Sequence, residues 1–437
     1  MTTYWLERAW TGTGPVVDGL LVDVVDGRFA AVGPGPPGDA HRLAGLTLPG
    51  LANCHSHAFH RALRGRTQRG RGTFWTWREQ MYAVASRLTP DGYLELARAV
   101  YAEMVAVGIT TVGEFHYLHH GPDGTAYDDP NVMGEALLQA GREAGLRVTL
   151  LDTCYLAAGI GRPAEGVQLR FSDGNADAWA ARLGRVRQPG DDARWGAAIH
   201  SVRAVPAEQL PVVAAWAVAH DVPLHVHVSE QVAENDACRE AHGLTPTGML
   251  AEAGALGERT SAVHATHLAD EDVALLGGSG THACFCPTTE RDLGDGIGPS
   301  RRLHEAGSPL TLGSDSHAVV DLFEEMRAVE LDERLATQER GHWSAAELLT
   351  AGTHAGHASL GWPDAGRIEV GMRADLVTVD TGSVRTAGTG ADEATAVFAA
   401  SGADVVSVIR DGVDVTVDPR EAGARLDRVL RDLESHG

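Results

Sequence analysis

Lysine is absent from this 437-residue chain, so all 36 of its basic side chains are arginines. That absence excludes a Schiff-base lysine, a P-loop lysine and a carbamylated lysine bridging two metals, so any metal site here is expected to be mononuclear. Cysteine is scarce and odd in number: Cys54, Cys154, Cys238, Cys284 and Cys286. Only the last two are close in sequence, and a Cys-x-Cys without a second pair reads as strand packing. All five are expected to be free thiols of a reducing compartment. Positive charge is in deficit too. A net charge of −23 repels nucleic acid and anionic membranes, yet a few arginines in a cleft suffice to attract a small anion. Met1 to Arg8 lacks the basic-then-apolar order of a signal peptide, and no apolar run is long enough to span a bilayer. A cytoplasmic protein is expected.

What is present points to a large α/β domain with a smaller module, since 43% hydrophobic residues supply an ample core. Short strands with turns open the chain, at Leu20 to Val25 and Arg28 to Val32, and similar texture returns at Ala374 to Asp380 and Val405 to Arg410. These segments predict a small β-sandwich module built from both termini, residues 1–47 and 364–437. Between them, residues 48–363 alternate strand and helix patterns. Their apolar runs end near Cys54, Phe115, Asp152, His200, Val228, His264, Cys286 and Asp315, the eight strands that a (β/α)8 TIM-like barrel needs. Tyr93 to Val107 and Ala207 to His220 read as intervening helices, and 33–38 and 381–393 as loops.

The chemistry gathers at those strand ends. His55-Ser56-His57 places two imidazoles at i and i+2, on one face of a strand, where both reach a single ion. Val222 to Glu230 contributes His225, His227 and an acid just beyond its strand, and Leu310 to Asp315 ends in a carboxylate. His55, His57, His227 and Asp315 meet the needs of a water-activating metal with one open position. His225 competes with His227 for that role, with packing or support of a ligand as its more ordinary duty. Glu230 is placed to overhang the metal.

Those residues, with His264 and Gly371-Met372-Arg373-Ala374-Asp375-Leu376-Val377, resemble the mononuclear deaminase branch of the amidohydrolase superfamily over nearly the whole chain. Within it, Phe74-Trp75-Thr76-Trp77-Arg78-Glu79-Gln80-Met81-Tyr82, Cys286-Pro287-Thr288-Thr289-Glu290 and Leu293-Gly294-Asp295-Gly296 resemble the formimidoylglutamate deiminases of histidine breakdown. The resemblance implies zinc, with iron(II) or manganese(II) accepted by the same ligands, and a homodimer. It also implies a small anionic amidine substrate, N-formimidoyl-L-glutamate, hydrolysed to N-formyl-L-glutamate and ammonia. Arg78 and Arg203 are then candidates for its two carboxylates, because a guanidinium fork suits a carboxylate. Tyr117, His200 and His60 are further contacts, His60 standing where the family often carries Gln. Catalysis is assigned to Glu230, which carries a proton to the departing nitrogen, with His264 and Asp315 accepting or orienting the proton of the activated water. Two alternatives remain: a sister deaminase of an aminated heterocycle such as guanine, and a non-catalytic barrel scaffold.

Overall fold

The computed structural model describes residues 1–69, 72–187 and 189–435. Four strands come first: β1 (Thr2–Ala9), β2 (Val17–Val25), β3 (Arg28–Pro34) and β4 (His41–Pro49). β5 (Leu51–Ser56), β6 (Ile109–His116) and β7 (Arg147–Cys154) follow, then a small hairpin of β8 (Ala157–Gly159) and β9 (Arg162–Pro163). Next come β10 (Ala193–Ile199), β11 (Leu224–Val228), β12 (Thr260–His264), β13 (His282–Phe285) and β14 (Leu310–Leu312). Last are β15 (Leu376–Val379), β16 (Val405–Arg410), β17 (Val413–Asp414) and a helix, Pro419–Ser435.

β5, β6, β7 and β10 to β14 form one parallel sheet of eight strands in that order. Every residue of β5, β6 and β7 is buried, as strands covered on both faces by core and helices must be. The sheet shuts on itself at a single seam. Ser56 bridges Asp315, the Asp315 amide donates to the His55 carbonyl at 2.9 Å, and the His57 amide donates to the Asp315 carbonyl at 3.3 Å. The result is the (β/α)8 barrel that the alternating pattern predicts, with strands ending within three residues of the expected positions. Gly313 makes the seam possible, because a Cβ there would lie 2.7 Å from that of His55.

The remaining strands make a second sheet in the order β17-β16-β15-β4-β1-β2-β3. Its two ends curl together over one core of Leu6, Val22, Val24, Phe29, Leu376 and Ile409, which is the sandwich drawn from both termini. β4 carries Leu48 and Pro49 into this module, pairing parallel with β1 and antiparallel with β15. Only Gly50 separates it from the barrel, and a Cβ at that position would lie 2.4 Å from Thr110 Oγ1. The C-terminal helix packs on the barrel helix Pro90–Ala106. All five cysteines are buried and unpaired. Among the described residues no helix is long and apolar enough to cross a membrane.

Barrel and module are joined through a buried charge. Arg147 of β7 donates to Asp375 Oδ2 at 2.7 Å, to Asp411 Oδ1 at 2.9 Å and to Thr111 Oγ1 at 2.9 Å. Burial alone would raise the Asp375 pKa, but the guanidinium pulls it down to about 2. The stabilisation is therefore complete above the unfolded pKa of about 3.9 and is lost as pH falls toward 2. Arg147→Met leaves the buried Asp375 without its cation, while Asp411 keeps Arg373 at 3.0 Å. It is expected to cost about 3–5 kcal/mol in denaturant unfolding, part of which Arg147→Met with Asp375→Asn recovers; an unchanged midpoint would refute the coupling.

Candidate metal centre and substrate chamber

The seam that closes the barrel also brings the candidate ligands together. Nε2 of His55 and of His227 lie 3.0 Å apart, and Asp315 Oδ1 is 3.3 Å from His55 Nε2 and 3.2 Å from His57 Nε2. All four side chains are buried. His57 Nδ1 is 2.9 Å from the Phe115 carbonyl, and His227 Nδ1 is 2.9 Å from the His200 carbonyl. A carbonyl oxygen only accepts, so both Nδ1 atoms carry the proton and both Nε2 atoms turn a lone pair toward the shared centre. Lone pairs and a carboxylate crowded in this way repel one another unless a cation lies among them. Three imidazoles and one carboxylate fit a divalent ion.

The backbone is bent to make this fit. His264 and Asp315 hold φ at +71° and +38°, a left-handed conformation that non-glycine residues keep only where surroundings over-determine it. His225 lies one pleat deeper in β11, outside the ligand group, and burial pushes its pKa down to about 3. A second His/Asp cluster, His116, His119 and Asp152, is also buried. Its charge is already met: Asp152 accepts from Arg182 at 2.7 and 2.9 Å and from Trp179 Nε1 at 2.9 Å. A metal there would have to displace a guanidinium.

Above the ligand group lies a small chamber lined by Arg78, Tyr117, His200, His60 and Arg203, with Glu230 and His264 on its floor. Glu230 is held by one oxygen: Arg203 Nη2 donates to its Oε2 at 2.8 Å, leaving Oε1 4.0 Å from His264 Nε2. Arg203 also lies 3.4 Å from Glu234, so its fork is directed at two protein carboxylates, whereas the sequence suggested a fork directed at substrate. His264 Nδ1 is 3.3 Å from Glu290 Oε1. Burial would lower the His264 pKa, but Glu290, Glu230 and Asp315 together raise it to about 10. His60 Nε2 and the Tyr117 hydroxyl are hydrogen-bonded at 2.9 Å; burial first, and then the neighbouring His57, hold His60 neutral, well below the usual histidine range.

Sequence reasoning passed over three participants. Tyr155, just beyond β7, lines the chamber; its only signal was its place after a strand end. Glu290 closes the Cys286-Pro287-Thr288-Thr289-Glu290 motif, which by itself gave it no role. Glu234 follows Glu230 by four residues, one helical turn, and accepts the Glu230 amide at 3.2 Å.

The Amidohydrolase family model matches residues 46–415. The chain belongs to that family. A formimidoylglutamate deiminase of Pseudomonas aeruginosa is 38% identical, over 87% of this chain and 86% of its own length. An 8-oxoguanine deaminase of the same organism is 32% identical, over 85% of this chain and 82% of its own. The crystal structure of an amidohydrolase from Brucella melitensis superimposes with a TM-score of 0.91 at 29% identity, covering 99% of this chain and 100% of that one. The protein is thus an amidohydrolase of the deaminase type, a hydrolase of carbon–nitrogen bonds, among relatives whose substrates differ.

Proposed function

We propose that the protein hydrolyses N-formimidoyl-L-glutamate to N-formyl-L-glutamate and ammonia. One observation carries the reading: Arg78 stands in the chamber wall between Trp75 and Tyr82, its guanidinium carbon 4.6 and 5.5 Å from their rings. Among the described residues it has no carboxylate within ion-pair distance. A cation so placed awaits an anionic substrate, and a flat neutral heterocycle has no use for it. The 38% identical formimidoylglutamate deiminase supports the same choice.

His55, His57, His227 and Asp315 would hold zinc, which when bound lowers the pKa of a coordinated water toward neutrality. The remaining work belongs to the chain. Glu230 Oε1, the oxygen not clamped by Arg203, faces the amidine and complements its positive charge. It takes a proton as the water oxygen bonds to the amidine carbon, then returns that proton to the terminal nitrogen, whose bond to carbon breaks and which leaves as ammonia. The last proton on the new carbonyl oxygen passes to Asp315. His264, fixed through Nδ1 by Glu290 at 3.3 Å, turns its Nε2 toward that oxygen and orients it. Tyr117, His60, His200 and Tyr155 wall the site and exclude bulk water.

An ammonia-release assay tests the substrate class. N-formimidoyl-L-glutamate is expected to exceed guanine, 8-oxoguanine and cytosine in kcat/KM by about 100-fold or more, the worth of one or two charge-assisted contacts. N-formimidoyl-L-aspartate, one methylene shorter, should rank second. Preference for any heterocycle would overturn the proposal and leave the fold untouched.

A further inference from the structure

The metal-side chamber is small, about 60 Å3, and shares Arg78, Tyr155, His200 and Arg203 as a common wall with a second chamber of about 290 Å3. At about 10–15 Å3 per water-sized group, the inner space takes an amidine and its α-carbon. The rest of a glutamate derivative must lie in the outer space. That outer space carries three guanidinium groups, Arg78, Arg162 and Arg203, against a single carboxylate, Glu234. Arg203 is met by Glu234 and, from the inner chamber, by Glu230, which leaves Arg78 and Arg162 as two guanidinium groups for the two carboxylates of a dicarboxylate, in a chain of net charge −23.

The arginines are not equivalent. Arg203 is directed at Glu230 and Glu234, at 2.8 and 3.4 Å. Arg78 and Arg162 have no carboxylate within ion-pair distance among the described residues. Arg162 opens β9, on the hairpin that follows the third barrel strand. It donates to the Ala158 carbonyl at 3.3 Å and folds over Gly159, where a Cβ would lie 3.1 Å from its Nη2. The absence of a side chain at Gly159 leaves room for the guanidinium, and the hairpin backbone tethers it with most of its donors unspent. Arg78 borders both chambers; Arg162 borders only the outer one.

We propose that Arg162 is a further specificity-determining residue, binding the side-chain carboxylate of the substrate in the outer chamber while Arg78 takes the nearer α-carboxylate. The assignment rests on the formimidoylglutamate reading. Its test compares Arg162→Gln and Arg162→Lys with the wild type, on N-formimidoyl-L-glutamate and on N-formimidoyl-L-glutamine. The second compound keeps the α-carboxylate and neutralises the side chain. Arg162→Gln should raise KM for the glutamate derivative about 10- to 100-fold, more than it lowers kcat, and change KM for the glutamine derivative less than about threefold. Arg162→Lys should recover part of the loss, because it restores the charge without the fork. An unchanged KM for the dianion, or equal rises for both compounds, would overturn the role of Arg162. A wild type that releases no ammonia from N-formimidoyl-L-glutamate while deaminating a heterocycle would overturn the functional reading itself, and this assignment with it.

Discussion

Glu230→Gln is expected to keep its metal and lose about three orders of magnitude in kcat, toward the upper end of what a positioned acid–base group contributes. Gln preserves the shape and still accepts from Arg203 through its amide oxygen, so the chamber should stay intact. What disappears is the oxygen that faces His264 and carries a proton between water and leaving group. Arg203 also touches Glu234, which gives a control: Glu234→Gln disturbs the same clamp from its other side and should cost about tenfold or less. Metal analysis and kcat on both variants check the distinction. Full activity in Glu230→Gln would remove that residue from the scheme, and equal losses in the two variants would make it one member of a structural clamp.

Removal of the metal is expected to abolish turnover, and zinc should restore it. The ligand group motivates both halves. With His55 and His227 presenting Nε2 atoms 3.0 Å apart beside Asp315, the empty group is destabilised by its own lone pairs, so it should bind one equivalent tightly. Without the ion, water at neutral pH is a far weaker nucleophile, its pKa lying about eight to nine units higher. Chelation followed by stoichiometric zinc, read by ammonia release and by metal content, checks the wild type. Asp315→Ala should bind less metal and respond weakly to added zinc. Undiminished activity in a chelated enzyme shown to be metal-free would sink the proposal.

Much of this arrangement was legible in the chain, for physical reasons that also mark where legibility stopped. His55 and His57 could be paired on paper because a strand repeats every two residues, and Asp315 was visible as the polar end of an apolar run. The barrel followed from eight such runs. The parallel pairing of β1 with β4 was hidden, since β2 and β3 lie between them in the chain and a parallel pair has no tight turn to announce it. Arg147 and Asp375 are 228 residues apart, and no local pattern links them. Arg78 and Arg203 looked alike as sequence, yet one stands between two aromatic rings and the other between two carboxylates. Arg162 carried no signal, because an arginine in a short hairpin is an ordinary surface residue until the cavity beneath it is seen.

The closing of the barrel has one more consequence. Ser56 and His317, whose side chains meet at 2.9 Å, are separated by 261 residues of chain, and the ligands flank this join on both sides. An ion held there would act as a clasp between the beginning and the end of the barrel, opposing the chain entropy that pulls such distant segments apart. Catalytic competence and mechanical integrity would then share one fastening, so that the circle is tightest where the reaction takes place.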